Sequence, residues 1–291
     1  MSDLEGLGIW TWWDGMTGPE ATDFVQRIEA LGYTTAWVPE ATGAHPFALT
    51  AHCAAATTTL RFATGIANIY ARDPVTMRAA QMTLGQLTGG RFLLGLGVSH
   101  VPLVEGVRGH TYGRPVATMR NYLEQMRAAP FTGVAPEEEP PILLAALRER
   151  MLGLARDETA GAHPYFTTPE HTERARAILG ADRLLAPEQK VLLETDPERA
   201  RTAARGHMAG YLGLPNYRNN LLTLGFTEEE LDDGGSDRLV DAIVAWGDVE
   251  AIKTRIQEHF DAGADHVCIQ PLRPDGQRGP HLEAIEALAP R

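Results

Sequence analysis

The sequence predicts an α/β fold, a closed parallel (β/α)8 TIM barrel, and three observations carry that prediction. Short apolar runs alternate with helical patterns at about the interval of successive βα units. Eight such runs occur, at residues 7–12, 34–39, 61–67, 91–97, 141–146, 162–166, 189–194 and 265–270, enough to close a barrel. The chain has 291 residues, 44% of them hydrophobic, which suffices for one large core. Residues 1–291 are therefore expected to form a single barrel domain.

The first run ends in Trp10, Thr11, Trp12 and Trp13. Tryptophans this dense at a strand end make a flat apolar wall suited to a conjugated ring, with one of them turned toward the core. The next helix shows its apolar stripe as Phe24, Ile28 and Leu31. The second run closes on Pro39, Glu40 and Ala41, and the third on Ala67, Asn68 and Tyr70. In the fourth, Arg91-Phe92-Leu93-Leu94-Gly95-Leu96-Gly97-Val98-Ser99-His100, a buried strand ends in small residues and then polar ones. Gly95 and Gly97 carry no Cβ, so a planar ring or a phosphate can approach the backbone there, with Ser99 and His100 just beyond.

Further along, Gly109-His110-Thr111-Tyr112-Gly113-Arg114-Pro115 adds polar groups, and its proline opens a helix striped by Val116, Met119, Leu123 and Met126. Pro130 to Pro141 reads as a solvated loop leading to the fifth run. Arg148 and Arg150 begin the following helix, where their forked donors can meet a phosphate or a carboxylate. Residues 214–247 exceed a plain loop and look helical, an insertion before the last βα unit. Its Glu228-Glu229-Glu230 and Asp232-Asp233 are read as solvated helix ends. A last stripe, Val249, Ile252, Ile256 and Phe260, covers the barrel wall. In this fold the strand ends converge, so chemistry is expected among the residues that follow them.

Composition excludes several function classes. A formal net charge of −12 opposes binding to nucleic acid or an anionic membrane, since phosphate contact needs clustered positive charge. Cys53 and Cys268 are the only cysteines, and no signal peptide or long apolar span stands out, so a cytoplasmic, reduced protein is expected. Neither paired cysteines nor a His-Glu-x-x-His motif offers a metal site, which counts against a metal-dependent barrel hydrolase.

Several stretches together resemble the bacterial-luciferase-like monooxygenase superfamily, specifically its F420-dependent oxidoreductase branch. They are Leu31-Gly32-Tyr33 with Ala36-Trp37-Val38-Pro39-Glu40, Thr64-Gly65-Ile66-Ala67-Asn68-Ile69-Tyr70 leading to Asp73-Pro74, and Thr88 through Gly97. Gly161 through Phe166 with Thr168-Pro169-Glu170-His171-Thr172, and Asp261 through Val267, complete the set. The resemblance spans nearly the whole length, and its specificity lies in the order and spacing of the stretches.

The resemblance implies a luciferase-like barrel with a deazaflavin, coenzyme F420, across its mouth. A bulge with a non-prolyl cis peptide at Gly65-Ile66 backs the ring, Glu40 lies near the ring's polar edge, and Ala67 and Asn68 follow the bulge. Trp12 and Tyr112 contact or steady the ring, with Arg114 beside them. Gly97, Val98, Ser99, Ala160 and Gly161 supply backbone donors for the cofactor phosphate, and Arg150 meets the cofactor's anionic part. His100 falls where relatives have a catalytic acid, and an imidazole gives or takes a proton near neutrality. Some relatives have a histidine directly after the carboxylate, where this chain has Ala41. With Glu40 and His100 as the catalytic pair, and His45 and His110 in reserve, the expected reaction is hydride exchange with a small, hydrophobic organic substrate. The expected assembly is a homodimer. Two alternatives stay open: an FMN-dependent monooxygenase on the same fold, and a ligand-holding flavoprotein without turnover.

Overall fold

Parallel strands curl into the expected barrel in the computed structural model, which describes residues 4–290. In chain order they are β1 (Gly6–Trp10), β2 (Thr35–Val38), β3 (Arg61–Thr64), β4 (Ala67–Asn68), β5 (Phe92–Gly97), β6 (Ile142–Leu144), β7 (Gly161–Ala162), β8 (Leu184–Leu185), β9 (Glu188–Leu193), β10 (Val244–Gly247) and β11 (His266–Pro271). The wall runs β9, β11, β1, β2, β3, β5, β6, β7, β8, with β4 paired to β5.

Closure depends on the segment 184–193. Its first half pairs with β7 and its second half with β11, so β8 and β9 are one barrel strand interrupted at Pro187. Proline has no N–H to give to the ladder. The backbone still bridges both neighbours: Ala186 N donates to Ala162 O at 3.0 Å, and Cys268 N to Pro187 O at 3.0 Å. Counting this segment once and joining β3 with β4, the wall has eight positions, as the eight apolar runs predict.

Boundaries differ where local chemistry interrupts the ladder. The run 61–67 splits into β3 and β4 around the Gly65-Ile66 peptide, which is cis. Of the run 162–166 only Ala162 is strand, together with Gly161 before it, because Pro164 ends the ladder and the chain turns over the rim. The run 189–194 begins earlier, at Leu184. The insertion 214–247 is helical only to residue 243, with helices Pro215–Thr223, Glu228–Leu231 and Asp237–Ile243. Its last four residues form β10, which pairs in parallel alongside Lys190–Leu193, outside the eight-position wall. The short Val-Ala-Trp-Gly segment has too little period of its own to announce a strand.

Alternation sorts side chains between two layers. Trp10, Trp37, Ala63, Leu93, Leu143 and Cys268 fill the barrel interior, whereas Ile9, Ala36, Val38, Phe62, Leu94 and Leu96 meet the helices. The predicted stripes pack there: Phe24, Ile28, Met119, Leu123, Met126, Ile252 and Ile256 are buried, and Leu31, Val116, Val249 and Phe260 are partly so. A third cluster joins Leu192 to Met208, Leu212, Tyr217, Leu221 and Leu239, fastening the insertion to the strand ends. No helix among the described residues is long and apolar enough to cross a membrane.

Candidate active site

A cavity of about 780 Å³ opens at the carboxyl ends of the strands. Most of the residues singled out from the sequence border it: Trp12, Glu40, Gly65, Ile66, Gly97, Val98, Ser99, His100, Tyr112 and Arg150.

Its back wall is Gly65-Ile66. Trp10 Nε1 donates to Gly65 O at 2.8 Å, so the indole anchors the peptide from within the barrel. A Cβ on Gly65 would lie 2.7 Å from that nitrogen, which is why the position carries no side chain. The two glycines of β5 act differently from the sequence expectation. A Cβ on Gly95 would lie 1.9 Å from Thr64 O, and one on Gly97 would lie 2.5 Å from Ile66 Cδ1. Gly95 thus lets β3 approach, and Gly97 seats the side chain of Ile66. Gly65, Ile66 and Gly97 all border the cavity, with the Ile66 side chain seated over Gly97.

Glu40 follows β2 and borders the cavity, but its carboxylate is fully engaged. Both guanidinium nitrogens of Arg72 hold it, Nη1 at 3.0 Å from Oε2, and Asn68 N donates to the same oxygen at 2.7 Å. Both side chains are less than a tenth exposed. Arg72 in turn lies over the Phe47 ring at 4.7 Å. A carboxylate held in two-pronged fashion fixes the position of its neighbours. Sequence reasoning missed Arg72, whose only signal was its place just before the helix-capping Asp73. The Ala41 carbonyl, just after Glu40, accepts from Arg108 Nη2 at 2.9 Å.

His100 leaves β5 and opens a π-helical turn, Pro102–Val107. Its ring packs against Tyr217 with centroids 5.2 Å apart, and burial pushes its pKa down, favouring neutral imidazole. Ser99 adopts φ +56°, and its carbonyl accepts from the Tyr112 hydroxyl at 3.1 Å, which fixes the loop across the mouth. Tyr112 also stacks on Tyr70, with centroids 5.8 Å apart. His45 caps helix Pro46–Ala54, accepting from Ala48 N, and neither it nor His110 borders the cavity.

A histidine the sequence did not single out lies behind Gly65. His163 Nδ1 is 2.7 Å from Ala186 O, a carbonyl that only accepts, so Nδ1 carries the proton and Nε2 is left as an acceptor without a partner. The ring stacks on Trp37 at 4.2 Å, and burial lowers its pKa to about 4. Tyr165, Tyr211 and Tyr217 complete the inner wall, with Tyr165 5.2 Å from the Trp10 ring. Tyr211 comes from helix Pro197–Leu212 and Tyr217 from the insertion, so the insertion contributes to the pocket wall.

Ala67, Asn68, Ala160 and Gly161 do not border the cavity. Asn68 turns inward, its Oδ1 accepting from Tyr70 N at 2.9 Å. Gly161 is a strand residue whose Cβ would lie 1.9 Å from Leu184 O; the chain reaches the rim only at His163 and Tyr165. Among the helices that start at the mouth is Glu149–Glu158, one unit earlier, and no side chain caps its first turn. Arg148 and Arg150 lie at that turn, and Arg114 also borders the cavity. All three are exposed, and among the described residues none makes an ion pair. Free N–H groups and unpaired guanidinium groups make this rim suited to an anion.

The sequence profile of the family described as luciferase-like monooxygenase matches residues 8–266. A protein of Mycobacterium tuberculosis carrying the provisional name coenzyme F420-dependent oxidoreductase is 30% identical over 136 residues, 45% of this chain and 39% of that relative, so the chain spans well under half of its length. The 5,10-methylenetetrahydromethanopterin reductase of Archaeoglobus fulgidus is 24% identical over 91% of this chain and 93% of its own. The structure of the coenzyme F420-dependent tetrahydromethanopterin reductase of Methanopyrus kandleri superposes with a TM-score of 0.75 at 18% identity, covering 99% and 98% of the two chains, a likeness of fold.

Proposed function

Because the chain belongs to the luciferase-like monooxygenase family, we propose that it is an oxidoreductase that uses coenzyme F420 to exchange a hydride with a small, largely apolar organic substrate. The rim carries this reading: Arg114, Arg148 and Arg150, unpaired near an uncapped helix start, outnumber the one exposed carboxylate there, Glu149, and form a local cationic site on a chain of net charge −12. A cofactor with a phosphate and an acidic tail matches that charge better than a neutral ligand does. The Gly65-Ile66 face, kept free of a Cβ by Trp10, fits a flat tricycle beside Trp12. Two similar proteins, of Mycobacterium tuberculosis and Methanopyrus kandleri, carry that cofactor in their names, which supports the same choice.

When bound, a deazaflavin would supply, where a flavin has a nitrogen, a ring carbon that gives or takes a hydride. The rest is the work of the chain. Arg148 and Arg150 hold the anionic end, and the Glu40–Arg72 pair fixes the loop that carries Asn68 beside the back wall. Trp12, Tyr165 and Tyr217 exclude water from the pocket. His100, kept neutral by burial, takes up or returns a proton at an imidazole nitrogen.

Titrating the protein with F420 and with FMN, followed by absorbance, tests the reading. F420 is expected to bind at least ~tenfold tighter than FMN. Tighter FMN binding transfers the reading to a flavin monooxygenase, and tight F420 binding without redox exchange across a broad substrate panel reduces it to a ligand-holding protein.

A further inference from the structure

We propose that Tyr211 is a hydrogen-bond acceptor that makes the inner pocket select a neutral hydroxyl on an apolar body over the carbonyl compound of the same skeleton. The inference deepens the reading of this cavity as the substrate chamber and rests on it.

The direction of each hydrogen bond follows from one buried lysine. Lys190, 1% exposed, donates from Nζ to Glu188 Oε1 at 3.1 Å and to Gln270 Oε1 at 2.8 Å. As the ammonium of its ion pair with Glu188, Nζ has only hydrogens to offer Gln270, and turning the amide round would set two donors against each other. The amide oxygen therefore faces Lys190, and it also faces the Tyr165 hydroxyl at 2.8 Å. An amide oxygen only accepts, so the single Tyr165 proton goes to Gln270.

The Tyr211 hydroxyl lies 2.7 Å from that of Tyr165. With the Tyr165 proton already committed, Tyr211 is the donor in this pair. Its own proton is then used, and its lone pairs are what it can offer at the cavity, where it has no other partner among the described residues. The lysine nitrogen lies 4.0 Å from the Tyr165 ring centroid and 4.8 Å from that of Tyr211, holding both rings from behind. The Phe166 and Tyr217 rings, 5.0 and 5.5 Å from that of Tyr211, make the surroundings apolar. Tyr217 has no hydrogen bond in this network and can act in either sense, so discrimination falls to Tyr211. A ligand O–H completes the chain; a ligand carbonyl meets lone pairs and loses its hydration without return.

Saturation-transfer NMR or calorimetry with 1-phenylethanol and acetophenone tests this, with and without F420. The intact protein is expected to bind the alcohol ~tenfold tighter than the ketone. Tyr211→Phe should weaken the alcohol alone and erase the preference. Tyr165→Phe should do something a structural role would not: it releases the Tyr211 proton toward the cavity and tightens ketone binding. Circular dichroism establishes that each variant folds, and if Tyr211→Phe does not, Tyr165→Phe decides. Equal or tighter ketone binding by the intact protein, binding of neither probe, a preference that survives Tyr211→Phe, or ketone binding unmoved by Tyr165→Phe overturns the inference. Failure to bind F420 alongside a clear alcohol preference would instead overturn the cofactor reading and leave this site standing.

Discussion

Replacing Gly97 with alanine probes whether the back wall of the cavity rests on Ile66. The new Cβ would lie 2.5 Å from Ile66 Cδ1, 2.6 Å from Cγ1 and 3.3 Å from Ala145 Cβ. Apolar carbons settle at about 3.5–4.0 Å, so the isoleucine must retreat by about 1 Å. β5 and β6 close the other sides, which leaves the cavity as the way out. Overpacking of this size costs about 1–3 kcal/mol, and Ile66, being half-buried and able to turn, places the loss toward the lower end. The displaced side chain would also stand where a planar cofactor lies, so F420 affinity should fall by ~tenfold or more, about 1.4 kcal/mol. Urea unfolding and an F420 titration read the two effects separately. Combining the change with Ile66→Ala removes both crowding atoms and should recover about 1–2 kcal/mol relative to the sum of the single changes. A Gly97→Ala protein that unfolds and binds like the parent, or single effects that simply add, would refute the argument.

Other parts of the site give further expectations. Glu40→Gln leaves the Arg72 guanidinium buried over Phe47 without its anion, so stability should drop by about 3 kcal/mol in urea melts, and less if Arg72 is changed to Met as well. Arg148→Ala and Arg150→Ala should each weaken F420 binding ~tenfold, with a shallower salt dependence, while leaving stability within about 0.5 kcal/mol; unchanged binding removes the rim from the reading. His100→Ala should lower turnover with little loss of cofactor affinity, and unaltered turnover excludes it as the proton carrier. Burial holds His163 at about 4 and His259 and His266 at about 3, below their ordinary 6.5. The unfolded chain binds these protons first, so stability is complete above pH ~6.5 and falls as the pH drops toward the folded values, His163 alone accounting for about 3 kcal/mol. Urea melts between pH 7 and 4.5 check the slope, and a flat profile would contradict it.

How far residues alone reveal this protein depends on the range over which each feature is decided. The barrel was legible because apolar runs and helical stripes record burial one element at a time, and Trp10, Glu40, Gly65 and His100 were legible because they follow strands whose ends must meet. The division of 184–193 at Pro187 and the late strand Val244–Gly247 were not, since a few residues take their state from the neighbour they pair with. The role of each polar group was also out of reach. Glu40 is occupied because Arg72 arrives from 32 positions away, Gly97 seats Ile66 because two strands lie side by side, and Tyr211 becomes an acceptor only because Lys190 orders the groups behind it. Sequence determined which chemical groups gather at the mouth, through periodicities that are local. Tertiary structure decided which of them are free to meet a ligand, because a hydrogen bond or a steric contact belongs to a pair and half of each pair lies elsewhere in the chain.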